Sequence, residues 1–178
     1  RGEAEAVAQF AERNGARAMI CEADLADPDA PARMFAEALS AMGKIDMLIN
    51  NASLFEDDSV GTMTVESFDQ HFAIHVRTPS LLAQAFAAQS LERGLIVNII
   101  DQRVWRLRPT YYSYTLSKAA LWTATQTMAQ ALGPSIRVNA IGPGPTLPNS
   151  RQSQEDFQGQ QKGLILKHGP DLAEFGRT

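Results

Sequence analysis

Tyr114 and Lys118 stand four residues apart in the run Tyr-Thr-Leu-Ser-Lys, a spacing that stacks two side chains on one helix face. An ammonium beside a phenol favours the phenolate and draws the tyrosine pKa toward working pH. A phenol tuned in this way delivers or accepts the proton that accompanies hydride transfer. The bland alternative is an exposed Tyr and Lys on a solvated helix face. Thirteen positions before Tyr114, at the end of the apolar run LIVNII, stands Asp101. An ionised carboxylate only accepts hydrogen bonds. Asp101 is therefore suited to hold the Tyr114 hydroxyl or a substrate N–H, and as an anion it does not polarise a carbonyl as a hydroxyl would.

Those side chains meet only if the intervening elements deliver them. Residues 2–13 space Ala, Val and Phe as a helix that stops at Asn14-Gly15. Ala18 to Ala23 reads as a short buried strand ending at Asp24. Asp27-Pro28 is expected to cap and open a helix to Met42, with Gly43 just past its end. Ile45 to Ile49 forms the next strand and leads into Asn50-Asn51. Thr64 caps a long helix through roughly Gln89, which Pro79 should kink or divide. Leu95 to Ile100 is the most apolar strand, residues 112–132 a long helix closed by Gly133-Pro134, and Ile136 to Ile141 a last strand before Gly142-Pro143-Gly144-Pro145. Residues 151–167 read as a mobile polar segment with a short helix. Strands and helices alternate, the order of a parallel sheet covered on both faces, so the expected class is α/β, doubly wound and Rossmann-like. No repeat or linker interrupts it, and residues 1–178 read as a single domain. Parallel strands end on a common edge, where ligands bind. Asp24, Asn51, Asp101 and the Gly142–Gly144 turn should therefore line one crevice.

Composition narrows the partners. Hydrophobic residues make up 44% and charged residues 20% of the 178, with a net charge of −4. That is ordinary globular composition, and it offers no electrostatic footprint for nucleic acid or an anionic membrane surface. No apolar run approaches the ~20 residues that span a bilayer. Cys21 is the single cysteine. It excludes an internal disulfide, suits a reducing cytoplasm, and fits a small buried residue better than a reactive thiol. The first residue is Arg1, so residues are expected to be missing at the N-terminus, and a targeting segment stays open.

The run from Leu95 through Lys118, followed by Arg137-Val138-Asn139-Ala140-Ile141-Gly142-Pro143-Gly144, resembles the short-chain dehydrogenase/reductase family. In that family an apolar strand ends in a catalytic residue thirteen positions before a Tyr-x-x-x-Lys pair. Asn50-Asn51-Ala52-Ser53 is similar to the family's Asn-Asn-Ala-Gly turn, and Asp24-Leu25 to the acidic dipeptide bordering the adenine ring. The resemblance covers nearly the whole chain. It implies Tyr114 as proton donor, Lys118 as the group that lowers its pKa and binds the nicotinamide ribose, and Asp101 at the catalytic serine position. It places Asp24, Leu25, Asn51, Ala52, Ser53, Pro143, Gly144 and Thr146 along an NADP cofactor, with NAD possible in its place. Arg1 would follow the family's second strand, where a basic residue meets the 2′-phosphate of NADP. The family's Gly-x-x-x-Gly-x-Gly turn is absent, and its place lies before Arg1, so N- and C-terminal parts are expected to be missing. A homotetramer through residues 65–89 and 112–132 is also implied. The second of these helices carries Leu116, Ala119, Ala120, Trp122, Ala124 and Met128, apolar over more than one stripe.

Two departures refine the expectation. Asp101 replaces the serine that hydrogen-bonds a substrate carbonyl. His75 stands where the family has an asparagine that orients a water near the lysine; it either bridges water and Lys118, adding a pH dependence, or is a partly buried helix residue with a satisfied hydrogen bond. Asn51-Ala52-Ser53-Leu54-Phe55, Asp101 and Gly142-Pro143-Gly144-Pro145-Thr146 together are similar to the pteridine reductase group. There a phenylalanine and the nicotinamide sandwich a flat ring, which implies Phe55 as a stacking surface; the alternative is a loop residue packed on the core. A generic carbonyl or 3-oxoacyl substrate is the runner-up, and a non-catalytic nucleotide sensor the rival from another class. Arg103, Trp105, Arg106 and Arg108 form either a receptor for an anionic substrate tail or, more plainly, a charged loop or subunit contact. No metal-binding pattern is present.

Overall fold

A computed structural model describes residues 2–145 and 154–162. Helix α1 spans Gly2–Arg13 and α2 spans Ala30–Met42. Strand β1, Met47–Asn50, is followed by α3, Val65–Phe72, a π-helical turn at Ala73–Arg77, and α4, Thr78–Ala87. Strand β2, Gly94–Ile99, leads through a 3-10 turn at Gln102–Val104 into α5, Tyr112–Leu132. Strand β3 is Ile136–Ile141, and a short α6 covers Gln154–Lys162.

The three strands form a parallel sheet in the order β1-β2-β3. Asn50 pairs with Asn98 and Asn98 with Ala140, so the strand ends stay level. Period-two alternation sends Ile96, Ile136 and Val138 to one face, where they pack with Phe35, Ala83 and Phe86 from α2 and α4. On the other face Met47 and Ile49 are half exposed, and α1 buries no residue. The described core thus lies on one side of the sheet, where both were expected to be covered.

Three local expectations change. Ala18–Ala23 forms no strand: no described strand lies beside it, and without a ladder partner its peptide groups have nothing to pair with. Asp27 does not cap α2; its Oδ1 accepts the Asp29 amide at 2.9 Å in a turn, and the helix opens later, at Ala30, with Pro31 in its first turn. The long helix from Thr64 is interrupted, but by a π turn rather than a simple kink. Thr64 Oγ1 does cap its start, accepting Ser67 N–H at 3.1 Å. Pro79 has no N–H for the His75 carbonyl and its ring crowds that oxygen, so the coil widens by one residue just before it.

Candidate active site

Asn51 follows β1, Asp101 follows β2, and Gly142 follows β3, so all three stand on the carboxyl edge of the sheet. Backbone bonds hold the last two ends together: Ile100 N–H donates to Ile141 O at 2.9 Å and Gln102 N–H to Pro143 O at 3.2 Å. Gly144 approaches the Gln102 side chain, and a Cβ on Gly142 would come within 2.7 Å of the Trp105 ring. Asp24 and Leu25 join the same edge without a strand. Asp24 Oδ1 accepts Ala26 N–H at 2.8 Å, Thr78 Oγ1 donates to Leu25 O at 2.8 Å, and Arg77 donates to Ala26 O. Thr146 lies outside the described residues, as does Arg1.

Helix α5 carries the phenol and the ammonium inward on one face, and both are nearly fully buried. The Tyr114 hydroxyl donates to Asp101 Oδ2 at 2.8 Å. Lys118 Nζ donates to Ile99 O at 2.7 Å and stands 5.7 Å from the Tyr114 ring centre. Asp101 Oδ1 accepts Arg103 N–H at 2.8 Å, which fixes the carboxylate from its other side. Burial, followed by the Asp101 charge and hydrogen bond, pushes the Tyr114 pKa far above its ordinary value, against a downward pull from Arg103 and Ser53. The lysine-driven drop expected from the Tyr-x-x-x-Lys spacing does not arise: the shift is upward, and Lys118 is not among its causes. Burial also draws Lys118 down to about 8, with Asp101 opposing.

Phe55 reaches this cluster. Its ring meets Tyr114 edge-on with centroids 4.7 Å apart, and one face stacks on Tyr111 at 4.2 Å and 9°. Arg103 lies over the Tyr111 ring at 4.7 Å. Trp105 packs edge-on to Trp122 at 5.6 Å, so this member of the basic loop has a structural task. The Cys21 thiol is pushed up by burial and by Glu37, the direction of an unreactive thiol.

His75 is 1% exposed in the π turn, and both its ring nitrogens are engaged. Leu54 N–H donates to Nε2 at 3.1 Å, which leaves the ring proton on Nδ1, facing Ser117 Oγ at 2.8 Å. Ser53 Oγ is also 3.0 Å from Nε2. Burial, then Lys118 and His71, lower its pKa to about 3. His75 is therefore held neutral, which favours the buried, hydrogen-bonded reading over the water bridge with its added pH dependence.

Several residues here were not singled out from the sequence. Tyr111, before the first turn of α5, has φ 56° and no side-chain cap. A distant loop supplies the cap: Asp58 Oδ1 accepts Ser113 N–H at 3.0 Å, Asp58 Oδ2 accepts the Ser113 hydroxyl, and Asp57 Oδ1 accepts Tyr111 N–H at 3.2 Å. Ser117 Oγ in turn donates to Tyr114 O at 2.8 Å, joining His75 to the catalytic helix. The only signal available was indirect: a helix opening on Tyr111-Tyr112 has no capping side chain of its own in the first turn.

The family model described as enoyl-(acyl carrier protein) reductase matches residues 1–168. The chain belongs to the short-chain dehydrogenase/reductase family. A short-chain type dehydrogenase/reductase of Picea abies is 32% identical over 137 residues, covering 74% of this chain and 51% of that protein. L-xylulose reductase of Bos taurus is 36% identical over 159 residues, 87% of this chain and 63% of its own length. The chain thus spans about half to three-fifths of these curated relatives. Among solved structures, FolM alternative dihydrofolate reductase 1 of Brucella canis, complexed with NADP, superimposes with a TM-score of 0.90 at 49% identity, over 99% of this chain and 70% of that one. A blue fluorescent protein from a metagenomic library, in complex with NADPH, gives 0.91 at 29% identity, over 99% and 73%. The likeness to these neighbours bears out the α/β, Rossmann-like fold expected of the alternating elements. Among the described residues no helix is long and apolar enough to cross a membrane.

Proposed function

We propose that the protein, as one domain, reduces a C=N or C=O bond with NADPH, and that its preferred substrate is a dihydropteridine-like ring. The observation that carries this reading is the Tyr114 hydroxyl bonded to Asp101 Oδ2 at 2.8 Å with the Phe55 ring edge-on at 4.7 Å. A flat heterocycle with N–H donors wants a carboxylate acceptor, an aromatic face and a phenolic acid; these three residues supply them. The 49% identity to a FolM alternative dihydrofolate reductase supports the same substrate class. The second reading, a carbonyl or 3-oxoacyl reductase, draws on the enoyl-reductase family description and the L-xylulose reductase relatives.

The residues present fit a dinucleotide in part. Lys118 Nζ uses one of its three protons on Ile99 O, which leaves donors for ribose hydroxyls. Asn51, Ala52 and Ser53 are exposed on the carboxyl edge, and Pro143 and Gly144 flank it. Asp24 and Leu25, assigned to the adenine by the family resemblance, are pinned by Thr78 and by the turn that the Asp24 carboxylate closes. NADPH supplies the hydride. Tyr114 gives the proton to the substrate atom that accepts it, Asp101 orients the ring and the phenol, and Lys118 holds the ribose. Phe55 gives the substrate ring its aromatic partner. We place the enzyme in the cytoplasm and assign it a homotetramer through α3–α4 and α5. Steady-state assays with NADPH against dihydropterins, quinones and ketones test the reading. Dihydropterin turnover is expected, ketone turnover alone selects the second reading, and NADPH binding without oxidation marks a sensor.

A further inference from the structure

Arg103 stands two residues past Asp101, and the fold lays its side chain over the aromatic residues beside the catalytic phenol. Its Cζ lies 4.7 Å from the centre of the Tyr111 ring. That ring stacks on Phe55 with centroids 4.2 Å apart, and Phe55 meets Tyr114 at 4.7 Å. Guanidinium, two aromatic rings and phenol thus form one continuous series of contacts. Both outer members are fixed through the backbone. Arg103 N–H donates to Asp101 Oδ1 at 2.8 Å, and the Trp105 and Arg106 amides both donate to Gln102 O at 3.0 Å, so a closed turn carries the arginine. Tyr111 N–H donates to Asp57 Oδ1 at 3.2 Å.

The half-buried guanidinium has more donors than this setting uses. Arginine carries five N–H groups. Among the described residues its side chain makes one long hydrogen bond, Nη1 to Thr110 O at 3.4 Å. The Tyr111 face attracts the cation but offers no lone pair to its donors. The neighbouring carboxylates are engaged elsewhere. Asp101 Oδ2 accepts the Tyr114 hydroxyl and Oδ1 the Arg103 amide, while Asp57 and Asp58 accept from the start of α5. Arg103 therefore keeps a fork of donors of the kind that pairs with a carboxylate or phosphate. One end of the series offers an acceptor for N–H groups at Asp101, and the other end offers a cation.

We propose that Arg103 is a specificity-determining residue that pairs with an anionic group on the substrate's side chain, so that the preferred substrate is a dihydropteridine-like ring bearing a carboxylate or phosphate tail rather than a neutral one. The inference rests on the dihydropteridine reading and names which members of that class the site favours. The ring meets Asp101, Tyr114 and Phe55, and the anion takes the Arg103 fork. Arg103 has no part in hydride or proton transfer, so it acts on binding and leaves the chemical step alone. A net charge of −4 repels an anion at long range. A fixed cation at the site offsets that repulsion where the substrate docks.

Steady-state kinetics of the full-length enzyme with NADPH test it on dihydrofolate, whose tail ends in carboxylates, on a dihydropterin phosphate ester, and on a dihydropterin with a neutral hydroxylated chain. The wild type should favour an anionic substrate over the neutral one, and the better of the two anions tells carboxylate from phosphate. Arg103→Met keeps a long side chain over Tyr111 without its charge. It should raise KM for the favoured anionic substrate about ten- to a hundred-fold with kcat nearly unchanged, and leave kcat/KM for the neutral pterin within about two-fold. Arg103→Lys, which keeps the charge and loses the fork, should recover part of the loss. Raising salt from roughly 0.01 to 0.5 M should lower wild-type kcat/KM for the anionic substrate, and that slope should flatten in Arg103→Met. Equal losses for charged and neutral substrates give Arg103 a merely structural role and overturn the proposal, as does an Arg103→Met enzyme with the wild-type preference. Turnover of the neutral pterin with no gain from either anion removes the Arg103 inference alone. Turnover of none of the three removes the dihydropteridine reading with it.

Discussion

Asp101→Asn changes the charge of one side chain and almost nothing of its shape. Oδ1 can still accept the Arg103 amide, now at 2.8 Å. The atom facing Tyr114 becomes an NH2 group, which cannot accept the hydroxyl proton that Oδ2 takes at 2.8 Å. Two consequences follow, with opposite signs for two substrates. The Tyr114 pKa falls, because the Asp101 charge and hydrogen bond rank next after burial among the causes that raise it. A simple ketone, which needs only an acid, should then be reduced as fast as before or faster. A pterin-like ring loses the carboxylate that accepts from its N–H groups, an interaction of the charge-assisted kind worth about 1.5–3 kcal/mol. Its kcat/KM should drop roughly ten- to a hundred-fold. Asp101→Ser, which restores the family's usual residue, should move both substrates the same way. The assay is kcat/KM with NADPH for one dihydropterin and one ketone, compared as a ratio between wild type and variant. An unchanged ratio, or pterin and ketone rates that rise together, would refute the acceptor role of Asp101.

Tyr114→Phe should abolish turnover while leaving NADPH affinity within a few-fold, as read by cofactor fluorescence titration, because the hydroxyl serves the chemical step. Lys118 titrates at about 8, so the ammonium proposed to hold the ribose is lost above it, and kcat/KM for NADPH should decline as pH rises through that value. His75 titrates at about 3 when folded but at about 6.5 when unfolded, so between those values the unfolded chain binds the extra proton. Stability should therefore fall as pH drops through that window, by on the order of a few kcal/mol, and urea unfolding of His75→Gln should show a shallower slope there. Asp58→Ala removes the acceptor of both Ser113 groups at the start of α5. It should cost about 2 kcal/mol, seen as a melting temperature lower by roughly 4–8 °C, and a thermal scan that matches wild type would deny Asp58 its capping role.

What the sequence made legible, and what it hid, divide along a physical line. Apolar periodicity located β2, β3 and α5 to within a residue, since each buries a face and burial writes itself into the pattern. The Tyr114–Lys118 spacing and the thirteen-residue step back to Asp101 are local, fixed by one strand, one turn and one helix, and the contact at 2.8 Å follows from that. Ala18–Ala23 failed as a strand because strand identity belongs to a pair: composition suits it, but no described neighbour does. The capping of α5 by Asp58 and the seating of Ser53 on His75 join residues 55 and 22 positions apart. No periodicity marks either pairing. The sign of the Tyr114 shift was hidden for a related reason. Two residues on one helix suggest a lowered phenol pKa, but the outcome is set by burial and by a carboxylate arriving from the end of β2, both products of the whole fold. That reversal assigns work to the surrounding donors. A phenol held firmly in its acid form gives up its proton only if something is ready to receive the charge it leaves behind, and in this chain the cation so placed is the Lys118 ammonium, 5.7 Å from the Tyr114 ring centre.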